Sequence, residues 1–208
     1  LINLARPIKE DAEVKALIKN YNEQNTLKDV LCEATRQFDG IEALANVMTD
    51  ALIDRLGVDI ALQNLGGVRL GQLPKGKVTK GDVFTLNPFC NNIFIYRMTP
   101  ADLREMIRRS YQRYSRRAAL LPGGMRYIIH THDGNVKRID ITDLKGKPLQ
   151  ESRTYRVAMN SYISTSYIFP HDGEGEELME IDTDLLVDYL ATQPTITPQP
   201  ARTAVVEE

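Results

Sequence analysis

Three stretches of this chain carry side chains suited to holding a ligand. The first is Asn64-Leu65-Gly66-Gly67-Val68-Arg69. Adjacent glycines let backbone N–H groups come close to a bound molecule. Asn64 brings an amide that donates and accepts, and Arg69 a planar fork of donors that matches phosphate or carboxylate. The same residues also suit a plain strand-to-loop turn with a solvated arginine, because glycines punctuate loops everywhere. The second stretch, Asn87-Pro88-Phe89-Cys90-Asn91-Asn92, sets an aromatic in a polar, proline-anchored loop. Such a ring can stack on a planar heterocycle, or it can be a core side chain beneath the loop. The third is Asn160-Ser161-Tyr162, followed ten residues on by Asp172-Gly173. It supplies a second aromatic and an acid that can accept from hydroxyls, or simply a strand-end tyrosine and a turn.

Two further clusters have chemical content. In His130-Thr131-His132-Asp133 the two histidines share a face if the segment is a strand, but no further metal ligands can be named for them. Arg104, Arg108, Arg109, Arg113, Arg116 and Arg117 crowd one region with Tyr111 and Tyr114. That is either a nucleic-acid contact, a solvated helix face or a contact for a partner.

The elements that would position these residues follow from periodicity. Val14, Leu17, Ile18 and Tyr21 recur at helical spacing over 7–22, with Glu10 and Asp11 in the first turn. A looser stretch, 23–40, contains Arg36. A second helix runs over 41–56 on the stripe Ile41, Leu44, Met48, Ala51 and Leu52, with Gly57 as C-cap. Residues 58–62 read as a strand feeding the glycine turn. Thr79-Lys80-Gly81-Asp82 has the form of a capping box, 93–97 is a short strand, and Thr99-Pro100-Ala101-Asp102 opens a helix carrying Leu103, Met106, Ile107 and Tyr114 inward. Strands 125–132 and 136–141 flank the hairpin signal Asp133-Gly134-Asn135. A strand over 154–163, a closing helix over 183–190 and an extended or frayed proline-containing tail from Thr192 complete the chain. Helices and strands mix without a regular βαβ rhythm, so the expected class is α+β, a mixed sheet with packed helices.

Composition narrows the partners. The chain has 208 residues, 42% hydrophobic and 26% charged, which is globular rather than disordered. A net charge of −2 provides no global basic field for nucleic acid or an anionic membrane, so an anionic ligand has to meet a local arginine. No apolar run approaches the ~20 residues that span a bilayer. Cys32 and Cys90 are expected free or buried. The chain opens Leu1-Ile2-Asn3, as the interior of a longer product would.

An ordered series of short motifs resembles the C-terminal domain of the 5′-nucleotidases, with the UDP-sugar hydrolases and 2′,3′-cyclic phosphodiesterases. The series is Ala45-Asn46-Val47, Asp59-Ile60-Ala61, Asn64-Leu65-Gly66-Gly67-Val68-Arg69, Gly76-Lys77-Val78-Thr79, Pro88-Phe89-Cys90-Asn91, Gly123-Gly124, Asn160-Ser161-Tyr162 and Asp172-Gly173. The resemblance implies a nucleotide base stacked between Phe89 and Tyr162. It also implies substrate contacts from Asn64, Gly66, Gly67, Arg69, Asn91 and Gly124, phosphate contact from Arg36 and ribose binding by Asp172. Two departures stand out: Phe169-Pro170-His171 replaces the family's Gly-Gly ahead of Asp172-Gly173, and Gln37-Phe38-Asp39-Gly40 follows Arg36 where the family has Arg-x-x-Glu.

By the same resemblance, 1–22 is the end of an interdomain bridging helix, 23–191 a substrate-binding domain and 192–208 a tail. This chain is expected to hold no cofactor. Two divalent metals are expected on a separate N-terminal metallophosphatase domain, which would make this chain inactive alone. Periplasmic or cell-surface location is implied too. The expected role is nucleotide recognition for a phosphoric ester hydrolase. The alternatives are a non-catalytic interaction module of the same fold and, from the arginines, nucleic-acid contact.

Overall fold

A computed structural model describes residues 11–23, 26–171 and 173–208. In chain order, helix α1 (Ala12–Glu23) precedes β1 (Val30–Ala34), β2 (Phe38–Asp39), α2 (Ile41–Leu56), β3 (Ile60–Asn64), β4 (Gln72–Leu73), β5 (Gly76–Thr79), α3 (Lys80–Leu86) and β6 (Asn92–Met98). Next come α4 (Pro100–Arg113), β7 (Leu120–Gly123), β8 (Met125–His132), β9 (Asn135–Asp143), β10 (Tyr155–Asn160), α5 (Ser161–Ser166), β11 (Glu176–Ile181), α6 (Asp182–Thr192), β12 (Thr195–Ile196) and β13 (Thr203–Glu207).

The centre is a five-stranded sheet, ordered β11-β6-β10-β3-β7. The β10–β3 pair is parallel and the β6–β10, β6–β11 and β3–β7 pairs are antiparallel, so the sheet is mixed. Its strands alternate sides as a period of two dictates. Ile60, Leu62, Val157 and Met159 pack with Leu103, Met106 and Ile107 of α4 and with Met125, Tyr127 and Ile129 of β8. Ala61 and Ala158, with Ile93 and Ile95, face Leu52 of α2 and Leu185 of α6. Both faces are covered, so every residue of β3 is buried. Each large apolar side chain removed from water this way contributes roughly 1.5–3 kcal/mol before packing corrections.

Local signals are realised where they were strongest. Gly57 caps α2 in the left-handed region at φ 59°. Thr79 with Asp82 and Thr99 with Asp102 close reciprocal capping boxes on α3 and α4. Asp133 and Gly134, at φ 51° and 71°, turn the β8–β9 hairpin.

Four expectations are corrected. The strand over 58–62 begins at Ile60 and runs through Asn64, because Gln63 and Asn64 continue the pairing with β7. The strand over 154–163 ends at Asn160, whose side chain caps a short helix by accepting from the Ile163 N–H, so Tyr162 is helical. The stretch 23–40 holds β1 and β2. After Thr192 the chain is extended but paired: β12 runs parallel to β1 and β13 parallel to β8. Arg202 anchors that return. Its side chain is buried, and its guanidinium grips the Asp50 carboxylate of α2 at 2.7 and 2.8 Å.

On α1, Val14, Leu17 and Ile18 are exposed. None of the described helices is long and apolar enough to cross a membrane.

Candidate functional site

The carboxyl end of β3 delivers Asn64, and a single 3₁₀ turn, Leu65–Gly67, follows it. Gly67 sits tightly: a Cβ there would lie 2.6 Å from Gln63 Nε2 and 2.7 Å from Asn64 Oδ1, so those side chains would have to move. Those two amides are in turn held by the buried Asn160, whose Nδ2 donates to Gln63 Oε1 at 2.8 Å and to Asn64 Oδ1 at 3.0 Å. The Asn160 Oδ1 accepts the Ile163 N–H at 2.9 Å. One side chain therefore fixes both the Asn64 amide and the start of α5, the helix that carries Tyr162.

The loop between α3 and β6 carries Phe89. It is pinned to the start of α6 by exchange of bonds with Asp182. The Asn91 N–H and Nδ2 donate to the Asp182 carboxylate at 3.0 and 3.3 Å, and the Asp182 N–H donates back to the Asn91 carbonyl at 2.9 Å. Thr183 Oγ1 donates to the Asn87 carbonyl at 3.0 Å. Burial holds the Asp182 carboxyl above the usual carboxylate range, against the hydrogen bonds that favour its ionised form. Ser161 Oγ donates to Asn91 Oδ1 at 3.2 Å, which ties the Phe89 loop to α5. Cys90, beside Phe89, sits in the left-handed region at φ 50°.

Together these elements enclose a hollow of about 320 Å³ lined by Asn64, Gly66, Gly67, Arg69, Phe89, Asn91 and Tyr162. Its size is within the range of small-molecule sites. Phe89 and Tyr162 are 49% and 47% exposed, so each ring is anchored while bare area remains for stacking. The Arg69 guanidinium carbon lies 5.7 Å from the centre of the Phe89 ring, a cation–π approach. Among the described residues no carboxylate lines the hollow. Two flat rings, two amides and one guanidinium around a space of this size suit a planar heterocycle joined to an anionic group.

Seven of the ten sequence-designated residues therefore meet in one place. Gly124 does not. It follows β7, where Gly123 pairs with Ala61 while Leu120 pairs with Asn64, so it lies off the opposite end of β3. There its φ of 75° and the Asp59 carbonyl, which a Cβ would overlap, give glycine a backbone reason. Arg36 lies on a separate open hollow of about 700 Å³ with Gln37, Asp39 and Pro200. Asp172 lies outside the described residues. Sequence reasoning missed the supporting roles of Gln63, Asn160 and Asp182. The available signal was a polar side chain at the end of an apolar strand, for Asn160, and an acid opening a helix, for Asp182.

The histidine pair is structural. The His130 ring contacts Glu208 Oε1 at 2.7 Å through Nδ1 and Asp140 Oδ2 at 2.9 Å through Nε2, fastening β13 to the hairpin. Among the described residues no group of three or more His, Cys, Asp or Glu side chains is arranged to hold a metal. Of the crowded arginines, Arg104 pairs with Glu151, and Arg108 and Arg109 pair with Glu105, so half of that charge is answered within the fold. Both cysteines are free, Cys32 buried and Cys90 exposed.

Comparisons with known proteins bear on the family and the fold. The chain is 27% identical over 175 residues to Endonuclease YhcR of Bacillus subtilis (strain 168), covering 76% of this chain and 13% of that protein. It is 30% identical over 123 residues to the NAD 5′-nucleotidase of Haemophilus influenzae, covering 51% of this chain and 19% of that protein. A solved 5′-nucleotidase precursor from Thermus thermophilus superposes with a TM-score of 0.74 at 25% identity, over 94% of this chain and 43% of that one. The Haemophilus influenzae NAD nucleotidase shares the fold, with a TM-score of 0.71 at 18% identity over 97% of this chain and 42% of that one. The chain thus spans less than half the length of each of these relatives. The profile of the 5′-nucleotidase C-terminal domain matches residues 19–167, and with most of the chain inside that match, the protein belongs to the 5′-nucleotidase C-terminal domain family.

Proposed function

We propose that this domain is the nucleotide-recognition half of a 5′-nucleotidase-type phosphoesterase. The observation that carries the reading is the pair of half-bare rings, Phe89 and Tyr162, on one hollow with Asn64, Asn91 and Arg69. The base lies between the rings, the amides meet its polar edge or the sugar, and Arg69 meets negative charge. The exposed backbone at Gly66 leaves room for close approach.

Bond cleavage belongs to a separate metallophosphatase domain. Two divalent metals there would supply the activated water and the charge stabilisation. The residues of this chain bind and orient, and orientation alone lowers a barrier by removing freedom the substrate would otherwise lose at the transition state. One of the chain's relatives is named a cell wall protein, of Listeria monocytogenes, which supports a periplasmic or cell-surface location.

A thermal-shift screen of the isolated chain with nucleosides, nucleotides and sugar nucleotides tests the reading. A concentration-dependent rise in melting temperature with nucleotides is expected. A flat response to all three classes would contradict it and favour an interaction module of the same fold.

A further inference from the structure

We propose that the nucleotide cleft continues past Tyr162 into a second, cationic compartment that takes the far nucleotide of a dinucleotide. This rests on the reading of the first hollow as a nucleotide site. The second hollow, about 310 Å³, shares Asn64, Gly66 and Tyr162 with the first and adds Arg113, Arg117, Tyr114 and Tyr167. It is close to the first in volume, and among the described residues it too has no carboxylate in its lining.

Its two arginines differ from the rest of their cluster. Arg104, Arg108 and Arg109 are answered by Glu151 and Glu105, whereas Arg113 and Arg117 form no ion pair among the described residues and are exposed at the hollow. The turn between them is built rather than slack. Ser115 and Arg116 are both held in the left-handed region, at φ 59° and 55°, an arrangement that costs energy in non-glycine residues and gathers at ligand sites. The Tyr114 and Arg116 N–H groups bond back to Ser110 at 2.9 Å and Tyr111 at 3.0 Å. The Arg116 guanidinium covers Gly134 of the β8–β9 hairpin, where a Cβ would collide with it.

The wall is aromatic. Tyr114 stacks on Tyr167 with centroids 4.8 Å apart, and Tyr167 meets Tyr162 edge-on at 6.4 Å. Two guanidiniums free of acid partners offer phosphate a charge-assisted seat, and the tyrosine wall offers a second planar ring a face or edge. A bare phosphate would use the arginines and leave the wall idle; a second nucleoside phosphate uses both.

The test is calorimetric titration of the isolated chain with adenosine 5′-monophosphate, adenosine 3′,5′-bisphosphate and diadenosine 5′,5′-pyrophosphate. Wild type is compared with Arg113→Ala/Arg117→Ala, whose exposed positions leave the core intact and whose melting temperature is checked alongside. The pyrophosphate is expected to bind about tenfold tighter than the monophosphate, the order given by one charge-assisted contact. The double variant should lose that advantage while keeping monophosphate affinity, and rising salt should shrink it. Monophosphate binding without a pyrophosphate advantage, or an advantage that survives in the variant, overturns the second compartment and leaves the first intact. An equal arginine-dependent advantage for the bisphosphate overturns the dinucleotide assignment. Absence of binding by all three overturns both readings.

Discussion

Asn160 and Asn64 meet across the parallel pair of the central sheet, with Asn160 Nδ2 donating to Asn64 Oδ1 at 3.0 Å. Their contact links the two halves of the hollow, since Asn160 also caps the helix that carries Tyr162. Asn160→Ala removes the cap and strips two buried acceptors of their donor. The expected loss is about 2–3 kcal/mol, a helix cap of about 1 plus desolvated amides. Urea denaturation reads it. Nucleotide affinity should fall too, although Asn160 itself does not line the hollow.

Gly66 and Gly67 are adjacent but not equivalent. A Cβ at Gly66 would find its nearest neighbour, Asn64 Nδ2, at an ordinary 3.6 Å, whereas one at Gly67 would press on Gln63 and Asn64 at 2.6 and 2.7 Å. Gly67→Ala should therefore cost about 1–3 kcal/mol through forced side-chain movement, and Gly66→Ala should stay within about 0.5 kcal/mol. Melting curves of the two variants check the contrast.

The C-terminal return depends on a buried ion pair. The Arg202 side chain is 5% exposed and that of Asp50 33%, so the pair is only partly screened. Asp50→Ala should destabilise the fold by about 2–3 kcal/mol, since it leaves the buried Arg202 guanidinium without its partner. Faster hydrogen exchange at β13 amides should accompany it, with the central sheet less affected.

The two thiols should react differently. Burial pushes the Cys32 thiol up to about 11, so almost none of it is thiolate near pH 8, whereas Cys90 is exposed. A thiol-disulfide reagent should titrate one equivalent in the native protein and two in guanidinium chloride. Two rapid equivalents in the native state would contradict the packing around Cys32.

Sequence legibility followed the physics of each element. Helices α2 and α4 declare their ends through a C-cap glycine and a Thr-Pro-x-Asp start, both local signals. Strand β7 is Leu-Leu-Pro-Gly, and its Pro and Gly speak against a strand, although pairing with β3 holds it. Strand β13 follows a proline-containing stretch, and its place is set by Arg202 meeting Asp50 from 152 residues away, which no local pattern records. Helix α5 was hidden because Tyr162 and Ile163 extend the apolar run of β10, and only the Asn160 cap breaks it. The hollow was legible because motif order placed Asn64, Arg69, Phe89, Asn91 and Tyr162 in one series. Arg36 and Gly124 fell elsewhere, since a motif beside a site in sequence can be structural in space.

The most direct test is the affinity of adenosine 5′-monophosphate for Phe89→Ala and Tyr162→Ala, measured by calorimetric titration on the isolated chain. Stacking is worth about 1 kcal/mol or more per ring, so each variant should bind at least about fivefold more weakly. Their melting temperatures should stay near wild type, because both rings are half exposed. Unchanged affinity in both variants would contradict the placement of the base between Phe89 and Tyr162.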